Sequence, residues 1–273
     1  MSSDFLSKIM ERKAARLAEA RAARPLEEVR SHAFAARADA RQHALLQALE
    51  DPGRVNVIAE FKRASPSKGE ISAAATVAET VRAYERGGAA ALSVLTEEDF
   101  FKGSLRDLRD AKASTSLPVL RKDFIFEPYQ VFESAAAGAD ALLLIVAALD
   151  DETLSGLLQL SEDGLGMDAL VEVHTAEELE RALTAGAHII GVNNRNLHTF
   201  EVSLQTSIEL AKLAPEGTLL VSESGLRGAG DVDRLRACGF RAFLVGETLM
   251  RAENPEEALR YLAGAGGWGE AAV

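Results

Sequence analysis

Two charged side chains close an apolar run near residue 60. In "VIAEFKRASPSKG", Val57, Ile58 and Ala59 are followed by Glu60 and Lys62, two apart, and then by a Ser-Pro-Ser-Lys-Gly turn. The pattern recurs downstream. Lys122 and Asp123 end "LPVLRKD", Glu172 ends "DALVEV", Asn193 and Arg195 end "IIGVNNR", and Glu223 and Ser224 end "LLVSES". Lysines beside carboxylates can pass protons when neighbours poise their pKa values. An arginine can grip a planar anion through two parallel N–H groups. An unpaired charge on a strand buried on both faces is expensive, so these groups must meet one another or a ligand.

The elements that could bring them together follow from the apolar runs. Eight occur, at 55–61, 90–96, 117–124, 139–146, 167–173, 187–193, 217–224 and 240–246. They are near-continuous and not alternating, as parallel strands covered on both faces are. Helix-length segments such as "AATVAETVRAYERGG" and "TAEELERALTAG" lie between them. The series predicts an α/β fold, a (β/α)8 TIM barrel with an N-terminal helical extension. "RGGAAALSV", "AAGADALLLIV", "LTAGAHIIGV" and "RACGFRAFLV" share one form, with a glycine between helix end and strand. A helix C-terminus wants a left-handed residue there. A doubly wound sheet is the structural alternative, but no G-x-G-x-x-G follows the first strand.

The expected division is a single domain over 1–273: a helical extension over 1–52, the barrel over 53–262 and a flexible tail over 263–273, in which Trp268 has no assigned role. One helix is expected over 4–24, with Phe5, Ile9 and Leu17 near helical spacing, broken at Pro25. A second is expected over 31–51 with Ser31 as N-cap.

Composition narrows the function classes. A net charge of −12 argues against a nucleic-acid binder, though not against a small anionic substrate in a locally positive site. The charged first residues lack a secretory h-region, and the longest apolar run is too short to span a bilayer, so a cytoplasmic protein without membrane contact is expected. The single Cys238 allows neither a disulfide nor a cysteine-based zinc site within the chain. The five histidines show no metal-ligand spacing and read as surface or packing groups; no metal is expected.

A barrel carries its reactive groups at the C-terminal ends of the strands. All the polar residues above fall there, and the period of two sets Glu60 and Lys62 on the side opposite Ala59 and Phe61. If Glu60, Lys62, Asn193 and Arg195 point inward, they meet Lys122 and Glu172 across the mouth. The loops after the seventh and eighth strands, "SESGLRG" and "LVGETLM", suit a phosphate: Gly225 and Gly246 permit close backbone approach. Glycine-rich turns of no function would look the same.

Taken in order, "VIAEFKRASPSKGEI", "VLRKDFIFEPYQVFESAAAGADALLLIVAAL", "LVEVHTAEELERAL", "GVNNRNLHTFEV", "VSESGL" and "LVGETLMR" resemble the indole-3-glycerol-phosphate synthase family of tryptophan biosynthesis, over essentially the whole chain. The resemblance implies a carboxy-lyase acting on 1-(o-carboxyphenylamino)-1-deoxyribulose 5-phosphate, closing the indole ring with loss of carbon dioxide and water. It implies Lys122 as general acid and Glu172 as general base. Glu60 would orient the lysines, Lys62 would bridge the phosphate end and the reacting carbonyl, and Asn193 would bind ribulose hydroxyls. Ser65 and Arg195 would hold the carboxylate. Glu223 joins the substrate-binding set, and Ser224, Gly225, Gly246 and Glu247 would form the phosphate cup. Some cups of this kind carry serine at the position of Glu247, where an acidic side chain repels phosphate and only its N–H could help. Phe101 would line the ring pocket or anchor its loop. The substrate supplies its own electron sink, so no cofactor is implied. Which of Lys62 and Lys122 delivers each proton stays open, and Lys68 could reach over the mouth.

Three alternatives compete with this resemblance. A phosphoribosylanthranilate isomerase would need a cysteine and an aspartate at the mouth, whereas Cys238 precedes the eighth strand. A Schiff-base aldolase using Lys122 would be trapped by borohydride. A silent scaffold barrel would not need the charged strand ends.

Overall fold

The computed structural model describes residues 5–66, 69–71, 75–196 and 199–264; Lys68, His198, Trp268 and the rest of the tail beyond Gly264 lie outside them. Eight parallel strands close a barrel: β1 (Asn56–Phe61), β2 (Ala91–Leu95), β3 (Val119–Lys122), β4 (Ala141–Ile145), β5 (Asp168–Val173), β6 (Ile189–Asn193), β7 (Leu219–Glu223) and β8 (Ala242–Val245). Each pairs with its sequence neighbours, and β1 closes on β8 with Ile58 beside Leu244. Every strand lies within an expected run. Gly88, Gly138, Gly186 and Gly239 all have φ near +90°, so the shared glycine is a left-handed helix terminator at each of the four places.

The period of two sorts the strands into faces. One apolar set points into the barrel, including Ile58, Ala91, Leu120, Leu170, Ile189, Val221 and Leu244. The other packs against the helices, including Ala59, Phe61, Leu92, Val119, Val171, Ile190 and Val245. Polar caps start several of the surrounding helices: the Ser104, Asp150 and Thr175 side chains accept from the N–H groups of Asp107, Thr153 and Glu178.

The extension clasps the barrel at both ends. Helix α1 (Phe5–Ala23) buries Ile9, Lys13 and Leu17 at intervals of four, one face of a helix. Lys13 is buried with its apolar neighbours because its ammonium bonds Asp123 at 2.8 Å and Glu98 at 3.0 Å, beside the mouth. Arg16 pairs with Asp99 and Arg21 with Glu127. Pro25 ends α1, as expected, and α2 (Leu26–Arg37) begins directly after it.

The second helix departs from expectation. Ser31 lies inside α2 and caps nothing, and residues 38–43 separate α2 from a short α3 (Ala44–Leu49). The break is tertiary in origin. His43 adopts φ +48°, its Nδ1 meets Asp168 at 3.1 Å, and Asp168 accepts the N–H groups of Leu45 and Leu46. That anchor turns α3 under the barrel, where Leu45 and Leu49 join the inward-facing set from below.

Candidate active site

Continuing each inward column past its last apolar residue gives the groups at the mouth. Two residues beyond Ile58 is Glu60, beyond Leu120 is Lys122, beyond Leu170 is Glu172, beyond Val221 is Glu223 and beyond Leu244 is Gly246. Asn193 follows Gly191 on β6 in the same way. One cavity is lined by all six. Neighbours leave no room where the columns carry glycine. A Cβ on Gly246 would stand 2.2 Å from Glu60 Oε1, and one on Gly191 would stand 2.2 Å from Glu223 Oε1.

At the centre, the Lys122 ammonium lies 2.8 Å from Glu172 Oε2 and 3.1 Å from Glu223 Oε2. Burial alone would discharge Lys122, but Glu172, Glu223 and Glu60 together raise its pKa, so it carries its proton at neutral pH. For Glu172, burial opposes ionisation and the pull of Lys122, helped by His174 and a hydrogen bond from Asn193, overcomes it. Its pKa lies below the usual value. Glu223 is the opposite case. Burial outweighs Lys122, and the charges of Glu172 and Glu60 add to it, so its pKa is pushed up to about 7. Lys62 forms a separate pair with Glu60 at 2.6 Å.

Loops supply the rest of the wall. Ser65 sits in a short antiparallel turn after β1, and its buried Oγ has no hydrogen-bond partner among the described residues. Phe101 faces Phe124 with ring centres 6.3 Å apart. Buried Glu97 shapes the Phe101 loop by accepting the N–H groups of Asp99, Phe100 and Phe101. Arg195 reaches the cavity from a loop closed by its own bridge to Val202. Ser224 and Gly225 both have positive φ, and Thr248 ties the loop after β8 to that after β7 through the Leu226 carbonyl. The Glu247 carboxylate lies 3.3 Å from Arg251, which draws part of its charge from the cavity.

The same cavity therefore takes in Glu60, Lys62, Ser65, Phe101, Lys122 and Glu172, and with them Asn193, Arg195, Glu223, Ser224, Gly225, Gly246 and Glu247. Asp123, at the same strand end as Lys122, is instead consumed structurally by Lys13, Arg121 and Thr96. Sequence reasoning missed the apolar side of the cavity. Phe5, Leu6 and Ile9 of α1 line it, and Phe5 packs edge-on to Phe100 and Phe200 at 5.3 Å. The helical spacing of Phe5 and Ile9 showed a buried face but not what it would cover. His174 was read only as a surface or packing group, but its Nε2 lies 3.5 Å from Oε1 of Glu172, which lines the cavity. Standing two residues beyond Glu172 was the signal that could have found it.

A sequence model of indole-3-glycerol phosphate synthase matches residues 6–262. The chain belongs to that family. The indole-3-glycerol phosphate synthase of Syntrophobacter fumaroxidans is 49% identical over 265 residues, covering 96% of this chain and 98% of the relative. That of Aromatoleum aromaticum is 48% identical over 262 residues, covering 96% and 100%. Among solved structures, 3-hexulose-6-phosphate synthase superposes with a TM-score of 0.62 at 13% identity, over 78% of this chain and all of that one, a likeness of fold alone. Cys238 lies half-buried just before β8, at the opposite end of the barrel from this cavity. No helix among the described residues is long and apolar enough to cross a membrane.

Proposed function

We propose that this member of the family closes the indole ring of 1-(o-carboxyphenylamino)-1-deoxyribulose 5-phosphate, releasing carbon dioxide and water. The observation that carries the reading is Lys122 held between Glu172 and Glu223 at the barrel mouth. The ring carbon bearing the carboxylate attacks the ribulose carbonyl, whose oxygen develops negative charge. Lys122, charged at neutral pH, protonates that oxygen as the C–C bond forms. The ring is then cationic, and breaking its bond to the carboxylate returns the electrons and restores aromaticity. Water leaves as Lys122 protonates the same oxygen again and Glu172, kept ionised, takes a proton from the carbon next to nitrogen. The 2.8 Å contact lets Glu172 return that proton to Lys122. Two protons go to oxygen and one comes back from carbon, so the cycle draws one proton from solvent.

The remaining groups bind. Asn193 and Glu223 meet the hydroxyls of the ribulose chain, and Glu60 orients Lys62, which bridges the phosphate end and the carbonyl. Arg195 and Ser65 hold the carboxylate that is lost, and the orphaned Ser65 hydroxyl has hydrogen-bonding capacity to spare. Ser224, Gly225, Gly246 and Glu247 take the phosphate through backbone N–H groups, for which the left-handed turn at Ser224 and Gly225 clears the way. Phe101, with Phe5 and Phe124 nearby, forms the apolar wall for the aromatic ring.

Purified protein mixed with this substrate should develop indole fluorescence without added metal or cofactor; no signal anywhere between about pH 6 and 9 would sink the assignment. Lys122→Ala should lose kcat by about 10²–10⁴-fold while still binding a product analogue. Near-normal turnover in that variant would remove Lys122 from the role of acid.

A further inference from the structure

One titratable group against the catalytic carboxylates has no part in the steps above. His174 stands just past β5, and its ring is held from the far side by helix α4 (Ala176–Thr184). Glu178 of that helix faces Nδ1 at 3.3 Å and accepts the His174 backbone N–H at 2.6 Å. The other ring nitrogen, Nε2, is buried without a hydrogen-bond partner and lies 3.5 Å from Glu172 Oε1. Lys122 holds the opposite oxygen of that carboxylate. Glu172 is thus flanked by two groups that can be cationic, one toward the cavity and one behind it.

Building on the function proposed above, we propose that His174 is a positioning residue: it is the counter-ion of Glu172 during the part of the cycle in which Lys122 has given up its proton. The charge count requires one. While Lys122 is an ammonium, it serves both Glu172 and Glu223, each almost wholly buried. Once its proton has moved to the substrate oxygen and loss of carbon dioxide has quenched the ring cation, Lys122 is neutral and that charge is gone. Lys62 is already engaged by Glu60 at 2.6 Å. Without another cation at hand, Glu172 would take up a proton early and could not serve as base in the dehydration.

His174 meets the requirement without touching substrate. Burial alone would discharge the imidazole, but its hydrogen bond to the Glu178 carboxylate and the charges of Glu172, Glu178 and Glu223 overcome it and hold its pKa above the ordinary histidine value. These are the charged groups that face it, from its own strand, from α4 and from β7. A purely structural histidine would be satisfied by Glu178. An orphaned Nε2 lying 3.5 Å from Glu172 is what structure alone does not need.

The test uses the full-length enzyme. His174→Gln keeps an N–H donor but removes the charge, and Glu178→Gln keeps a cap for the His174 backbone N–H but frees the imidazole of its carboxylate. In His174→Gln, kcat at neutral pH should fall about tenfold with KM changed by less than about twofold. Its acid limb should move up by about one pH unit, because Glu172 has lost a cation and is harder to ionise. In Glu178→Gln, the His174 ring, followed by ¹H–¹³C NMR, should titrate at lower pH than in the parent. Product-analogue binding and Tm check that each variant is folded. A His174→Gln enzyme with parental kcat and an unmoved acid limb would overturn the proposal. So would a His174 ring that titrates at or below the ordinary histidine value in the parent, a measurement that stands even where His174→Gln fails to fold. The function itself fails differently, through a parent enzyme that forms no indole while the His174 titration is as described.

Discussion

Glu223 is a carboxylate whose ionisation the fold resists, and that has a measurable sign. Its unfolded form gives up its proton near 4.5 and its folded form near 7. Between those values the folded state binds more protons, so its contribution to stability is fully present below the lower value and is lost as pH rises through the upper one. Glu223→Gln should remove the loss. The variant's Tm should match the parent's near pH 5 and exceed it at pH 8, by on the order of 1–3 kcal/mol of stability. A difference that does not grow with pH would show that Glu223 is ionised at no cost. The same site was largely readable one residue at a time. Glu60, Lys122, Glu172, Asn193 and Glu223 break apolar runs at strand ends, and a period of two is enough to set them on one side. What could not be read was the inequality among the carboxylates. Glu172 is low and Glu223 high because Asn193 and His174 add to Lys122 at Glu172, whereas burial outweighs Lys122 at Glu223, and distances across a barrel are not written in local sequence.

Among the elements, α1 carries the clearest consequence. Its ammonium at Lys13 is the pin that fixes it to the mouth, through Asp123 and Glu98, and the same helix offers Phe5, Leu6 and Ile9 to the cavity. Lys13→Ala should therefore act on substrate binding from a residue outside the cavity. KM is expected to rise several-fold with kcat nearly kept, and stability to fall by about 1–3 kcal/mol, less than for a fully orphaned buried charge because Arg121 and Thr96 still hold Asp123. Steady-state kinetics beside thermal melts would decide it, and an unchanged KM would mean that α1 takes no part in binding. Strands and glycine-terminated helix ends were legible because each depends on local chemistry: apolar runs for one, φ near +90° for the other. The second helix was misread because its boundary depends on partners far along the chain. Nothing near Ser31 shows that His43 will turn left-handed to meet Asp168.

For the whole molecule, we propose that extension and barrel form one cooperative unit. Leu45 and Leu49 fill the base of the barrel interior, and Arg37 donates to the carbonyls of Leu165 and Gly166 from the same side. Calorimetry of the full chain should show a single transition, and a chain starting near residue 50 should melt at least about 10 °C lower. Two separate transitions would mean that the extension is a domain of its own. Lys62, Lys122 and Arg195 share the cavity with Glu60, Asp123, Glu172, Glu223 and Glu247, so an anion there must be held by individually placed groups and not by a net positive field. The clasp at Asp168 has a consequence for biosynthesis. Leu45 leaves the ribosome 123 residues ahead of the carboxylate that anchors it. Through that interval α3 has no barrel to close, and Leu45 and Leu49 stay exposed on the nascent chain. The segment made first can dock only after β5 has emerged, so a pause in translation before that strand would prolong the time in which it can be captured by a chaperone or by a neighbouring chain.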